Sequence, residues 1–103
     1  MRHSQLRAFH YVAYLGGFSR AAEFLFLTQP AISEQVRKLE QDHDVLLFYR
    51  ERKRVRLTHE GEQLFRFTKQ YFEIEQKMEE YLSATSAVVD GDLRIIADSA
   101  HHI

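Results

Sequence analysis

A mainly α protein is predicted: a winged helix-turn-helix with a two-stranded wing, followed by a long dimerising linker helix. Three features of the sequence carry this. A closely connected pair of short helical stretches lies within residues 20–42, two apolar runs flank a basic tip within 45–57, and a heptad seam runs from Leu64 to Tyr81. The expected organisation is a winged domain at 1–58, a linker and dimerisation helix at 59–86, and at 87–103 a hinge with the first strand of a further domain that is otherwise absent.

Composition narrows the class. The chain has 103 residues and no Cys, so neither a disulfide framework nor a thiolate metal site is available. It has no run of eighteen apolar residues and no signal-peptide pattern, and the expectation is a cytoplasmic protein with no membrane partner. The net charge of −1 hides an asymmetry. Residues 1–58 carry ten Lys/Arg against six Asp/Glu, whereas residues 59–103 carry four against nine. A basic front and an acidic back suit a nucleic-acid module joined to something else.

The first helix is expected at residues 4–15, capped by Ser4, with Leu6, Phe9 and Ala13 at helical spacing and Val12 beside them. Gly16-Gly17 ends it, because glycine enters the left-handed region cheaply, and Phe18 returns to the core. Ser19 is expected to cap a second helix, Arg20 to Phe26, in which small Ala21 and Ala22 allow a close helix crossing and Leu25 anchors. The link from there through Leu27-Thr28 is very short and has no glycine.

The third helix is the organising element. Thr28 can cap it, and Pro30 fits its first turn, where a missing N–H costs nothing. At 100° per residue, Ala31, Ile32, Gln35, Val36 and Leu39 fall on one side, with Pro30, Ser33, Glu34, Arg37 and Gln41 on the other. The first side needs a core. The second is short and polar near its start and then carries an Arg. Such a face can enter a groove about 12 Å wide and read base edges. His43-Asp44 breaks the helix.

Val45-Leu46-Leu47-Phe48-Tyr49 and Val55-Arg56-Leu57 read as two short strands. The segment between and into them, 50–56, carries five positive charges and one negative, including Arg50, Arg52 and Lys53. Beside a reading helix, such a tip would displace counterions from the phosphate backbone. Thr58 caps the last helix, with Glu60 and Glu62 in its first turn, where negative charge suits the helix dipole. That helix is expected from His59 to about Ala84. Leu64, Phe67, Tyr71, Ile74, Met78 and Tyr81 form its seam, and Phe65 and Phe72 a second line toward the chain's own core. A homodimer is the simplest cover for the seam. Ser83-Ala84-Thr85-Ser86-Ala87 reads as a hinge, Gly91-Asp92 as a turn, and Leu93-Arg94-Ile95-Ile96-Ala97 as a buried strand.

In order along the chain stand Leu6-Arg7-Ala8-Phe9, Gly17-Phe18-Ser19-Arg20-Ala21-Ala22, Thr28-Gln29-Pro30-Ala31-Ile32-Ser33, Leu39-Glu40, Leu47-Phe48-Tyr49-Arg50 and Leu57-Thr58-His59-Glu60-Gly61. With Gly91-Asp92-Leu93-Arg94-Ile95, this set resembles the N-terminal part of LysR-type transcriptional regulators, over nearly the whole chain. The resemblance implies a DNA-binding winged helix-turn-helix, a dimerising linker, tetramers at full length, and a small-molecule inducer held by a C-terminal domain; no cofactor is expected in these residues. By position, Thr28, Gln29, Pro30 and Ser33 match residues that approach bases and phosphates, and Ser19, Arg50 and Lys53 match backbone contacts. Two positions depart from the family pattern. Glu34 stands where many relatives carry a basic or polar residue; it repels phosphate but can accept from cytosine N4. Asp44 stands where glycine is usual, which strains the exit from the reading helix.

Other chemistries find little support. Among the six histidines, His3, His10, His43 and His59 show no ligand spacing, and no nucleophile–base pair or glycine-rich phosphate loop is present, so neither a metal site nor an enzyme is expected. A rival from another class stays open: a protein-interaction module whose long helix binds a different chain. Sequence-dependent, salt-dependent DNA affinity separates the two.

Overall fold

The computed structural model describes residues 1–49 and 54–93, with side chains as far as residue 85. Four helices follow in order: α1 (His3–Leu15), α2 (Phe18–Leu25), α3 (Gln29–His43) and α4 (His59–Leu93). The chain divides into two units, Met1–Lys69 and one that begins at Gln70.

In the first unit α1, α2 and α3 pack on one another. Their shared core holds Phe9 and Val12 from α1, Ala21 and Ala22 from α2, and Ile32, Val36 and Leu39 from α3. Leu47 and Phe48 complete it, with the Phe48 ring 5.4 Å from Phe9 and 5.6 Å from Phe18. Ala21 is fully buried, as a close helix crossing requires.

The helix ends show which local signals operate. Thr28 accepts from the Ala31 N–H at 3.2 Å, and Thr58 accepts from the Gly61 N–H at 3.0 Å, so both expected caps form. Ser4 and Ser19 do not cap. α1 begins one residue before Ser4, and buried Gln5 closes its start by accepting from the Arg2 N–H at 3.2 Å. α2 begins at Phe18, which leaves Ser19 inside its first turn. Three residues take left-handed conformations at helix exits: Gly16 (φ 81°), Phe26 (φ 58°) and Asp44 (φ 52°). Phe26 fills the turn that has no glycine. It stands almost wholly exposed, so its ring gains nothing from the core.

The two-stranded wing is not seen among the described residues. Only an isolated antiparallel bridge joins Phe48 and Leu57, with Tyr49 N–H donating to the Arg56 carbonyl at 2.8 Å. Glu40 supplies the reason. Its buried carboxylate accepts from the N–H groups of Leu47 (2.7 Å) and Phe48 (3.3 Å), and the Leu47 N–H is the donor that the next rung, opposite Thr58, would otherwise use. Leu47 and Phe48 are also both buried, although neighbours in a strand point to opposite faces. The run is therefore a core-filling loop pinned to α3.

Thr58 locks the start of α4 onto this loop, since its hydroxyl also donates to the Leu46 carbonyl at 2.6 Å. Gly61 follows at a point of close approach. A Cβ there would lie 2.1 Å from the Leu47 carbonyl oxygen. Further along, Leu64 and Phe65 pack against the core. Thr68, 2% exposed, donates to the Phe65 carbonyl (3.2 Å) and lies 2.9 Å from His10 Nδ1. That distance is a hydrogen bond between the His10 ring and the Thr68 hydroxyl. His10 ties α1 to α4 through this bond and through its ring contact with Phe65.

In the second unit α4 continues to Leu93. The expected hinge at 83–87 and turn at 91–92 are instead helical. Alanine favours helix, and the single Gly91 costs only about 1 kcal/mol relative to alanine. Leu93, expected in a strand, ends the helix, and the rest of that expected strand lies outside the described residues.

Candidate nucleic-acid interface

The candidate surface is the polar side of α3. Ile32, Val36 and Leu39 bury the opposite side completely, and this fixes the rotation of the helix. Gln29, Pro30, Ser33 and Arg37 are consequently exposed, with Glu34 half-exposed among them. Thr28 is exposed as well, with its hydroxyl engaged at the cap. The residues singled out on this helix thus share one accessible face beginning at its N-terminus.

Contacts organise that face. Ser19, from α2, donates to Gln29 Oε1 at 3.0 Å and so couples the two members of the helix-turn-helix through exposed side chains. Ser4 of α1 donates to Gln35 Oε1 at 3.3 Å on the flank of α3. Arg37 Nε donates to Glu34 Oε1 at 2.9 Å, Nη2 donates to Oε2, and Nη1 donates to Gln41 Oε1 at 2.7 Å. Hydrogen bonding from Arg37 holds the Glu34 carboxyl below its ordinary range, and the same contact raises Arg37, so the pair is fully ionised at neutral pH. Sequence reasoning identified Glu34 and Arg37 but missed Gln41 as Arg37's third anchor. Its position four residues after Arg37 was the available signal.

Beside α3, Arg54 and Arg56 are exposed, and the Arg56 guanidinium lies 4.4 Å from the centre of the Tyr49 ring. The expected phosphate contacts Arg50, Arg52 and Lys53 lie outside the described residues.

The helical seam divides. Leu64 is partly buried and packs against the chain's own core. From the next position onward the seam is open: Phe67, Tyr71, Ile74, Met78 and Tyr81 are each 44–68% exposed. Among the described residues no group of three or more His, Asp or Glu side chains could hold a metal ion, and no helix is long and apolar enough to cross a membrane.

This arrangement has close counterparts. The family model for bacterial regulatory helix-turn-helix proteins of the lysR family matches residues 3–62. The chain is 42% identical over 95 residues to the RuBisCO operon transcriptional regulator of Allochromatium vinosum, covering 92% of this chain and 32% of that protein. Its fold is similar to full-length OxyR from Pseudomonas aeruginosa (TM-score 0.73, 36% identity, 82% of this chain and 28% of that one). It is also similar to the BenM DBD in complex with catB site 1 DNA (TM-score 0.75, 26% identity, 82% and 93%). The chain thus spans about a third of the length of the regulator from Allochromatium. A core-anchored α3 with an exposed polar face, on a scaffold matched from His3 to Glu62, places the chain in the lysR family of bacterial regulatory helix-turn-helix proteins.

Proposed function

We propose that this chain is the DNA-binding part of a transcriptional regulator, working in the cytoplasm as a homodimer on double-stranded promoter DNA. The observation that carries this reading is the rotation of α3: Ile32, Val36 and Leu39 are buried on one side, and Gln29, Pro30, Ser33 and Arg37 face outward on the other. In the major groove these side chains meet base edges, and the N-terminus of α3 approaches phosphate. The basic segment 50–56, with Arg54 and Arg56 at its described end, lies along the backbone and supplies sequence-independent affinity. The open seam from Phe67 to Tyr81 buries itself against a second copy and thereby sets two reading helices on one duplex. The BenM DBD complex with DNA lends support, because its protein shares this fold.

The test is binding to the promoter duplex upstream of the chain's own gene, against a scrambled duplex, across a salt series. Preference for the promoter, falling steeply with salt, is the expected result. Gln29→Ala or Ser33→Ala should cost about 1–3 kcal/mol on the promoter and less on scrambled DNA. No binding to either duplex at low salt would favour the interaction-module reading instead.

A further inference from the structure

We propose that Arg37 is the specificity-determining residue of α3, reading one guanine, and that Glu34 and Gln41 are positioning residues that hold its guanidinium as a pre-aimed fork. The proposal rests on the DNA-binding reading of α3 and deepens it.

The geometry is a three-point clamp within one helix. Glu34 takes the Nε and Nη2 edge of the guanidinium with both carboxylate oxygens, and Gln41 takes Nη1. Three of the five N–H donors of an Arg are thereby engaged. The remaining two sit one on each terminal nitrogen. A guanine presents two acceptors side by side, O6 and N7, and a paired N–H fork is what that edge selects.

Two physical consequences separate this clamp from a bare Arg. First, an unrestrained Arg must give up considerable rotamer freedom to make a planar two-point contact, and the clamp has already restricted it. Second, an isolated guanidinium is drawn to any phosphate regardless of sequence. Glu34 cancels that charge at contact distance, so Arg37 gains little from phosphate while keeping its directional donors. The side chains of Arg37 and Glu34 remain 48% and 44% exposed, so an incoming base edge can reach them. As a stabilising device an exposed pair contributes little. Its effect therefore lies in where it holds Arg37, on the same face as Pro30 and Ser33.

Glu34 gains a positive role on this account. A carboxylate facing DNA weakens binding to every sequence, yet it restricts Arg37 to the one contact that discriminates.

The test uses duplexes selected from a random-sequence pool by the wild-type chain, with Arg37→Ala, Arg37→Lys and Glu34→Gln compared by fluorescence anisotropy across a salt series. Circular dichroism of each variant confirms folding. Arg37→Ala and Arg37→Lys should lose about tenfold on the selected duplex while scrambled DNA changes by less than about twofold. Lys keeps the charge and loses the fork, so its loss isolates geometry from charge. Glu34→Gln should bind scrambled DNA more tightly and add about one to its salt slope, compressing the ratio between duplexes. A single G·C position should absorb the Arg37→Ala effect: once that pair is changed, wild type and variant bind alike. Equal losses on both duplexes for Arg37→Ala would make Arg37 a phosphate anchor and overturn the proposal. So would full activity of Arg37→Lys, or a Glu34→Gln variant indistinguishable from wild type. A wild-type chain that selects no preferred duplex refutes the DNA-reading assignment itself, and this control tells the two failures apart.

Discussion

Removing the Glu40 carboxylate should destabilise the first unit more than any other single polar change in it. Glu40 is 4% exposed and accepts from the buried N–H groups of Leu47 at 2.7 Å and Phe48 at 3.3 Å. Glu40→Ala strands both donors. A buried group left without its partner costs about 1–3 kcal/mol, with bonds to a charged acceptor at the upper end. The shorter contact to Leu47 carries most of this and the longer one to Phe48 a fraction, so about 3 kcal/mol is expected for the pair. Against a domain stability of about 5–15 kcal/mol that is a large share. It corresponds to a fall in Tm of about 12–24 °C for a domain this small. Urea unfolding followed by far-UV circular dichroism, at one protein concentration, measures it, with an unchanged m-value as the sign that only stability moved. Glu40→Gln retains an acceptor oxygen and should lose about 1 kcal/mol. A Glu40→Ala variant within about 0.5 kcal/mol of wild type would refute the claim that this carboxylate pins the 45–48 loop.

Other perturbations follow from the same geometry. Gly61→Ala sets a methyl 2.1 Å from the Leu47 carbonyl oxygen and 2.9 Å from Leu57 Cδ2, where backbone must move, and should cost at least about 2 kcal/mol in the same urea experiment; a neutral result would show that α4 can shift freely at its start. Ile74→Glu places a carboxylate on the open seam and should yield monomers by sedimentation at concentrations where the wild type is dimeric, while a persisting dimer would move the interface elsewhere. His10 has its pKa lowered, first by burial and then by Lys69, so the folded state binds its proton less readily than the unfolded state. The stability it contributes is complete above the ordinary value of 6.5 and is lost as pH falls below it. Thermal unfolding at pH 7.5 and 5.5 should show an excess loss in wild type that His10→Gln lacks, and equal losses in both would remove His10 as the cause.

Much of the first unit was legible from residue order alone. Thr28 and Thr58 cap because a Ser or Thr just before a helical run can always offer its oxygen to the run's open N–H groups, a local act needing no distant partner. The rotation of α3 was legible for a similar reason. Ile32, Val36 and Leu39 define an apolar stripe, and with it the polar face that includes Pro30, Ser33, Glu34 and Arg37. Gly16 and Asp44 were readable as helix exits from their tolerance of positive φ.

Tertiary structure decided the rest, wherever one residue had two physically acceptable uses. Ser4 and Ser19 could have capped, but buried Gln5 closes α1 and the Phe18 side chain starts α2 in the core, which turns both serines toward glutamines of α3. Phe26 takes the left-handed exit of α2 because the link to α3 demands that conformation there, whatever residue occupies it. Val45 through Tyr49 had the composition of a strand, yet Glu40, on α3 and buried by folding, claims the Leu47 N–H that the next rung of the ladder needs and holds the Phe48 N–H as well. Leu64 fits the heptad seam and also packs, partly buried, against the core. Residues 83–87 carry the small side chains of a hinge, and α4 continues through them to Leu93 because helix propagation, once begun, asks little of each added residue. Periodicity and capping are set by neighbours in the chain and so are written in the sequence. Which of two competing partners a side chain or an N–H meets depends on what folding brings within reach.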